Sequence, residues 1–173
     1  SYAAQSGKPP RILVVYFSTP ETDNPHNMTR EEENSTVVIN GKVLGNTQYV
    51  AQLIQEMTGG DIFRILPQKP YPTDHRTLVD LAKEEQDQDA RPAIQGKIES
   101  PEAYDTIFIG YPNWWGDMPM ILYSFLEQYD FSGKTLIPFC THGGSGFSRT
   151  IRTMQDKQPG ATVIRNGYSL SRS

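Results

Sequence analysis

Apolar residues along this chain recur with a period that switches repeatedly between strand-like runs and helical faces, and this alternation restricts the folds open to it. Ile12 to Phe17 is a short, continuous apolar run, as expected of a strand covered on both faces. From Gln48 the pattern changes. Val50, Leu53, Ile54 and Met57 fall at i, i+3, i+4 and i+7, and Gly59-Gly60 ends the helix they imply. Asp61 to Leu66 reads as a second strand stopped by Pro67, and a more polar helix follows over Thr73 to Asp87, with Leu78, Val79, Leu81 and Ala82 as its apolar side. Tyr104 to Ile109 is the third strand and runs into a loop from Gly110 to Pro119. Pro119 suits the first position of a helix that carries Ile121, Leu122, Phe125 and Leu126 inward. Thr135 to Cys140 is the fourth strand, although Pro138 removes one ladder donor. A helix bearing Phe147, Ile151 and Met154 and a fifth strand at 161–164 complete the series.

The order β-α-β-α-β-α-β-α-β implies an α/β fold, a doubly wound five-stranded parallel sheet with right-handed crossovers and helices on both faces. Residues 11–173 are expected to form one domain behind a flexible tail at 1–10, and the closing helix usual in such domains is not legible after Ile164. At 173 residues the chain is long enough to bury a sizeable core. Sixteen Lys and Arg against 20 Asp and Glu give a net charge of −4, which excludes a generally basic surface and argues against nucleic acid as a partner. No segment approaches the roughly 18 consecutive apolar residues of a membrane span. The single cysteine, Cys140, excludes an intramolecular disulfide framework and a multi-cysteine metal or iron–sulfur site. Compartment is left open.

In a parallel sheet the C-terminal strand ends lie along one edge, where ligands collect. Three loops there are unusual. The first is interrupted between Glu21 and Leu44, where β-branched residues flank Asn40-Gly41, a strong hairpin signal. With that hairpin excised, Ser18 and Thr19 precede Gly45, Asn46 and Thr47 at the start of a helix, where backbone N–H groups and hydroxyls could surround one phosphate. Alternatively, Asn46 or Thr47 is a plain helix cap. The acid run Glu31 to Glu33 in this insertion reads as a solvated surface. The second loop, Pro112-Asn-Trp-Trp-Gly116, offers an aromatic ring to a planar ligand, unless one Trp packs inward and the other covers a helix end. The third, Thr141 to Phe147, exposes amides at Gly143, Gly144 and Gly146. The spacing around Ser145 fails the nucleophile-elbow pattern, and no acid partner for His142 can be identified. Cys140 reads as a small buried hydrophobe.

Taken together, the stretches YFST at 16–19, GNT at 45–47, YPNWWGDMP at 111–119 and FCTHGGSGF at 139–147 resemble the flavodoxin family over about residues 11 to 165. The resemblance implies strand order 2-1-3-4-5 and flavin mononucleotide (FMN) bound non-covalently at the switch point. It implies that the phosphate lies among Ser18, Thr19, Asn46 and Thr47. Pro112, Asn113, Trp114, Trp115 and Gly116 would border the ring and ribityl chain. Thr141, Gly143, Gly144, Ser145 and Gly146 would contact the pyrimidine side. The function implied is electron transfer with redox proteins or small-molecule acceptors. The alternatives are an FMN-dependent NAD(P)H:quinone oxidoreductase and, more remotely, a hydrolase using Ser145 and His142.

Overall fold

The computed structural model describes residues 9–19, 36–39 and 41–171. The expected tail up to Lys8, the acid run Glu31 to Glu33 and the turn residue Asn40 lie outside the described residues. In chain order the elements begin with β1 (Ile12–Tyr16), β2 (Thr36–Ile39), β3 (Lys42–Gly45), α1 (Asn46–Thr58), β4 (Asp61–Arg64) and β5 (Leu66–Pro67). They continue with α2 (His75–Asp87), β6 (Ile94–Gln95), a single 3₁₀ turn at Pro101–Ala103, β7 (Thr106–Pro112) and α3 (Met120–Gln128). β8 (Thr135–His142), α4 (Thr150–Lys157), β9 (Thr162–Val163) and β10 (Tyr168–Ser171) follow.

The central sheet has β1 in its interior, paired in parallel with β4 on one side and β7 on the other. β8 lies beyond β7, and β9 and β10 both pair in parallel with the outer edge of β8. This is the expected order 2-1-3-4-5, with the fifth position filled by two segments. Burial on both faces explains the unbroken apolar run of β1. Val14 packs with Tyr16, Ala51, Phe108 and Phe139 beneath α1, whereas Leu13, Val15 and Phe17 join the larger core beneath α3 and α4. Ile121, Leu122, Phe125 and Leu126 all point into that larger core, as their spacing requires. Pro119 is the residue before α3 rather than its first helical residue.

The inserted hairpin forms as the sequence implies. β2 and β3 pair antiparallel from Thr36 opposite Gly45 to Ile39 opposite Lys42, which leaves two residues for the turn. The hairpin therefore delivers the chain directly to the first residue of α1. Asp74 caps α2 by accepting the Thr77 N–H at 2.9 Å, so this helix starts two residues later than expected.

Several strand limits differ from the periodicity. The chain leaves the second strand after Ile65, whose N–H still reaches Tyr16 O, and β5 pairs antiparallel with β6 instead. β7 extends through Gly110-Tyr111-Pro112 and β8 through Thr141-His142, so both strands carry residues assigned by pattern to loops. The irregularity expected at Pro138 appears in the neighbouring strand. β8 runs unbroken, but β9 pairs with Thr135–Leu136 and β10 with Phe139–His142, so the ladder is interrupted opposite Ile137-Pro138. Gly167 lies against this gap; a Cβ there would sit 2.2 Å from Pro138 O. Strand five is thus longer than 161–164 and is split by a neighbouring proline.

Candidate functional site

Because the strand order reverses between β1 and β7, the chain leaves these two strands in opposite directions and opens a crevice at their C-terminal ends. A cleft of about 190 Å³ lies there. It is lined by Ser18 and Thr19 after β1, by Asn46 and Thr47 at the start of α1, and by Pro112, Asn113, Trp114 and Trp115 around the end of β7. Thr141 and Gly143 line it from β8 and the loop beyond. Ten of the residues singled out by sequence therefore share one cleft. Gly116, Gly144, Ser145 and Gly146 are not among its lining residues; they belong to the turn and loop that adjoin it.

The two halves of the interrupted first loop do meet. Gly45, at the N-cap of α1, has no side chain to offer, and Ser18 supplies the missing acceptor: the Gln48 N–H donates to Ser18 Oγ at 3.3 Å. Thr47 is buried, its hydroxyl 2.9 Å from that of Thr141 at the end of β8. Hydroxyls from three strand or helix ends thus converge at the positive end of α1. Among the described residues, no Lys or Arg lines the cleft.

The two tryptophans divide their tasks. Trp114 packs inward, edge-on to Phe17 at 5.5 Å and to Tyr71 at 5.5 Å. Trp115 is 51% exposed and leans on α2, its indole N–H donating to Val79 O at 3.0 Å, with Lys83 over the ring. Trp114 N–H bonds Asp117 O and Asp117 N–H returns to Trp114 O, closing a four-residue turn whose central residues Trp115 and Gly116 have φ of +55° and +79°. Glycine meets this requirement without cost, whereas Trp115 is held in a left-handed conformation unusual for a bulky residue.

Asp117, which the sequence had not singled out, and Asn113, which it had, fix this turn. Asp117 is 1% exposed. Its carboxylate accepts from Met118 N–H at 2.8 Å, from the Thr153 hydroxyl at 3.0 Å and from the Tyr123 hydroxyl, and it pairs with Arg149 at 3.2 Å. Burial, followed by the bond to Asp117, pushes the Tyr123 phenol up. Thr150, on α4, takes the hydroxyl of fully buried Tyr111 at 2.9 Å. Asn113 joins the second and third loops: its Oδ1 accepts Gly116 N–H at 3.1 Å, and its Nδ2 donates to Gly146 O at 2.8 Å and Ser148 Oγ at 2.9 Å. Partners 30 to 40 positions away leave no local signature, so spacing alone could not find them.

α2 adds His75, Leu78, Val79 and Ala82 to the cleft wall, an apolar surface on the same helix face that seats it against the molecule. His142 also lines the cleft and is paired with Ser169 at 2.8 Å, not with Ser145, which removes the basis for a Ser145–His142 hydrolytic pair. Cys140 is fully buried, and burial pushes its thiol up to about 12. Among the described residues no group of three His, Cys, Asp or Glu is placed to hold a metal, and no helix is long and apolar enough to cross a membrane.

An open, doubly wound α/β sheet with a cleft at its switch point defines the fold class. The family model described as Flavodoxin matches residues 36–173. The chain belongs to the flavodoxin family. Two provisionally designated flavoproteins of known structure are similar to it. One, from Bacteroides uniformis, is 30% identical with a TM-score of 0.67, the alignment covering 92% of this chain and 93% of that one. The other, from Bacteroides eggerthii, is 28% identical with a TM-score of 0.67, covering 90% and 85%. A flavoprotein from Lactobacillus acidophilus, solved in complex with FMN, shares the fold at 19% identity and a TM-score of 0.64, over 90% of each chain. No curated protein matches the sequence significantly.

Proposed function

We propose that this protein binds FMN non-covalently in the switch-point cleft and acts in electron transfer. The observation that carries the reading is the donor set. Neutral hydroxyls of Ser18, Thr19, Thr47 and Thr141 gather at the N-terminus of α1, beside an apolar wall of Trp114, Leu78, Val79 and Ala82. A phosphate ester suits the first group, because the helix end and hydroxyls offer positive dipoles without a counter-charge. A flat aromatic ring suits the second. Membership of the flavodoxin family and the FMN complex of the Lactobacillus acidophilus flavoprotein support the same ligand.

When bound, flavin supplies one- or two-electron chemistry, and the protein supplies binding, orientation and electrostatics. Ser18 Oγ and the first-turn amides of α1 orient the phosphate. Trp114, anchored edge-on between Phe17 and Tyr71, gives a fixed wall that excludes water. Trp115, half exposed at the mouth, would shield a bound ring from solvent. Asn113 ties the Trp114–Asp117 turn to the Gly143–Gly146 loop, and would hold the two together around a bound ring.

The test is direct. Purified protein mixed with FMN and desalted is expected to retain flavin absorbance, with quenched tryptophan emission; colourless protein overturns the proposal. With flavin loaded, steady-state turnover of NADH or NADPH with a quinone is expected to be negligible. Brisk turnover would replace the carrier role by that of an oxidoreductase.

A further inference from the structure

His142 sits at the end of β8, is 9% exposed, and commits both ring nitrogens. Its Nδ1 receives the Gly144 N–H at 2.9 Å, and its Nε2 lies 2.8 Å from Ser169 Oγ on β10. An amide N–H only donates, so Nδ1 must carry a lone pair. The proton is then on Nε2 and is donated to Ser169. The ring is therefore pinned to the last strand at one nitrogen and holds a loop amide with the other. Gly144 has φ +126°, and Gly146 lies beside Ser169, whose Oγ is 3.8 Å from where a Cβ on that glycine would be.

We propose that neutral His142 is a positioning residue that latches the Gly143–Gly146 loop to β10, so that flavin is held at neutral pH and released on acidification. The proposal rests on the flavin reading above. Protonation places a hydrogen on Nδ1, facing the Gly144 hydrogen across 2.9 Å. Two donors cannot share that contact. Ser169 keeps the ring in place, because Nε2 donates in both charge states, so the loop must withdraw. The Gly144 amide loses its partner, and Asn113, bonded to Gly146 O, transmits the shift to the Trp114–Asp117 turn.

The surroundings leave His142 as the group that decides. On β10 it faces Ser169, and from α1 the cleft presents Asn46 and Thr47, none of which titrates. From α2 the cleft presents His75, the other titratable group among the described residues of its lining. Arg149 beside α4 and Asp117 beyond β7 are paired with each other at 3.2 Å. The Cys140 thiol, raised to about 12, stays protonated throughout. The sign follows from the contact itself: the latch is intact while Nδ1 carries a lone pair and is lost when Nδ1 is protonated.

FMN affinity is measured by quenching of flavin fluorescence at about pH 7.5 and about pH 5 for wild type, His142→Asn, His142→Leu and His75→Gln. Asparagine keeps an acceptor near the place of Nδ1 and does not titrate. Wild type and His75→Gln are expected to weaken about tenfold or more beyond His142→Asn on acidification, with His142→Leu weak at both pH values. Riboflavin is expected to show the same excess loss, which separates His142 from the second ionisation of the phosphate near pH 6. Coincident pH dependence of wild type and His142→Asn overturns the latch. In the flavin-free protein, ¹⁵N NMR is expected to show an unprotonated Nδ1 at neutral pH and a Gly144 amide that titrates with the ring. An Nδ1–H tautomer, or an indifferent amide, overturns it too. If wild type binds no flavin at either pH, the proposed function fails, while the NMR experiment still decides the latch.

Discussion

Single side chains in this molecule act far from their sequence neighbours. Ser18 follows a strand yet caps a helix that begins 28 positions later, because Gly45 brings no acceptor of its own. Pro138 leaves its own strand intact and breaks the one beside it. Gly167 is the counterpart of that break, passing so close to Pro138 O that no side chain fits. Gly167→Ala is expected to push β10 off β8 and to destabilise the protein by about 1–3 kcal/mol, as overpacking against backbone does. The melting temperature should fall by several degrees, and amide exchange should quicken at Tyr168 to Ser171; unchanged exchange there would argue against the close approach as the determinant of strand five.

At the scale of elements, α3 and α4 are clasped by a small ionic group. Glu127 accepts from Arg91 at 2.7 Å and from Lys157 at 2.5 Å, while both cations lie over the Tyr123 ring. These two bonds hold the Glu127 carboxyl down at about 2. Its folded value lies below the unfolded one, so the contribution is complete above about pH 4.5 and is lost as pH falls toward 2. Glu127 is 40% exposed, and screening keeps the effect below about 1 kcal/mol. Glu127→Gln is expected to lower the melting temperature slightly at neutral pH and to match wild type near pH 2; an equal deficit at both pH values would assign the effect to packing. None of this clasp was legible in the sequence, since Arg91, Glu127 and Lys157 belong to three separate segments. What was legible followed from period and turn chemistry: the parallel order, α1 and its glycine stop, the inward face of α3, the Asn40-Gly41 hairpin. β10 escaped notice because Tyr168-Ser-Leu-Ser171 lacks a continuous apolar run, and Tyr168, Ser169 and Leu170 are exposed in this edge strand. The site was legible as three loops, but its limits were not, because Thr141 and His142 are still strand and α2 supplies a wall with residues that look like ordinary core.

For the molecule as a whole, flavin is expected to be a stabiliser, because the cleft joins β1, α1, α2, β7 and β8, which unfolding would separate. FMN at a hundredfold excess over its Kd should add about 2.7 kcal/mol and raise the melting temperature by roughly 5–10 °C. The size of the rise should follow the logarithm of FMN concentration; a rise with no such dependence would indicate a ligand that does not bind the folded state alone. The Ser18–Gln48 contact spans 30 positions and the Thr47–Thr141 contact 94. Closing such a loop costs entropy that grows only with the logarithm of its length, about 0.6 kcal/mol for each doubling. The β2–β3 hairpin can therefore lengthen or change its tip at little thermodynamic penalty, as long as β3 still ends at Gly45. The cradle is a seam between two chain segments, and that seam is where such a protein can acquire a new outer surface while keeping the same ligand.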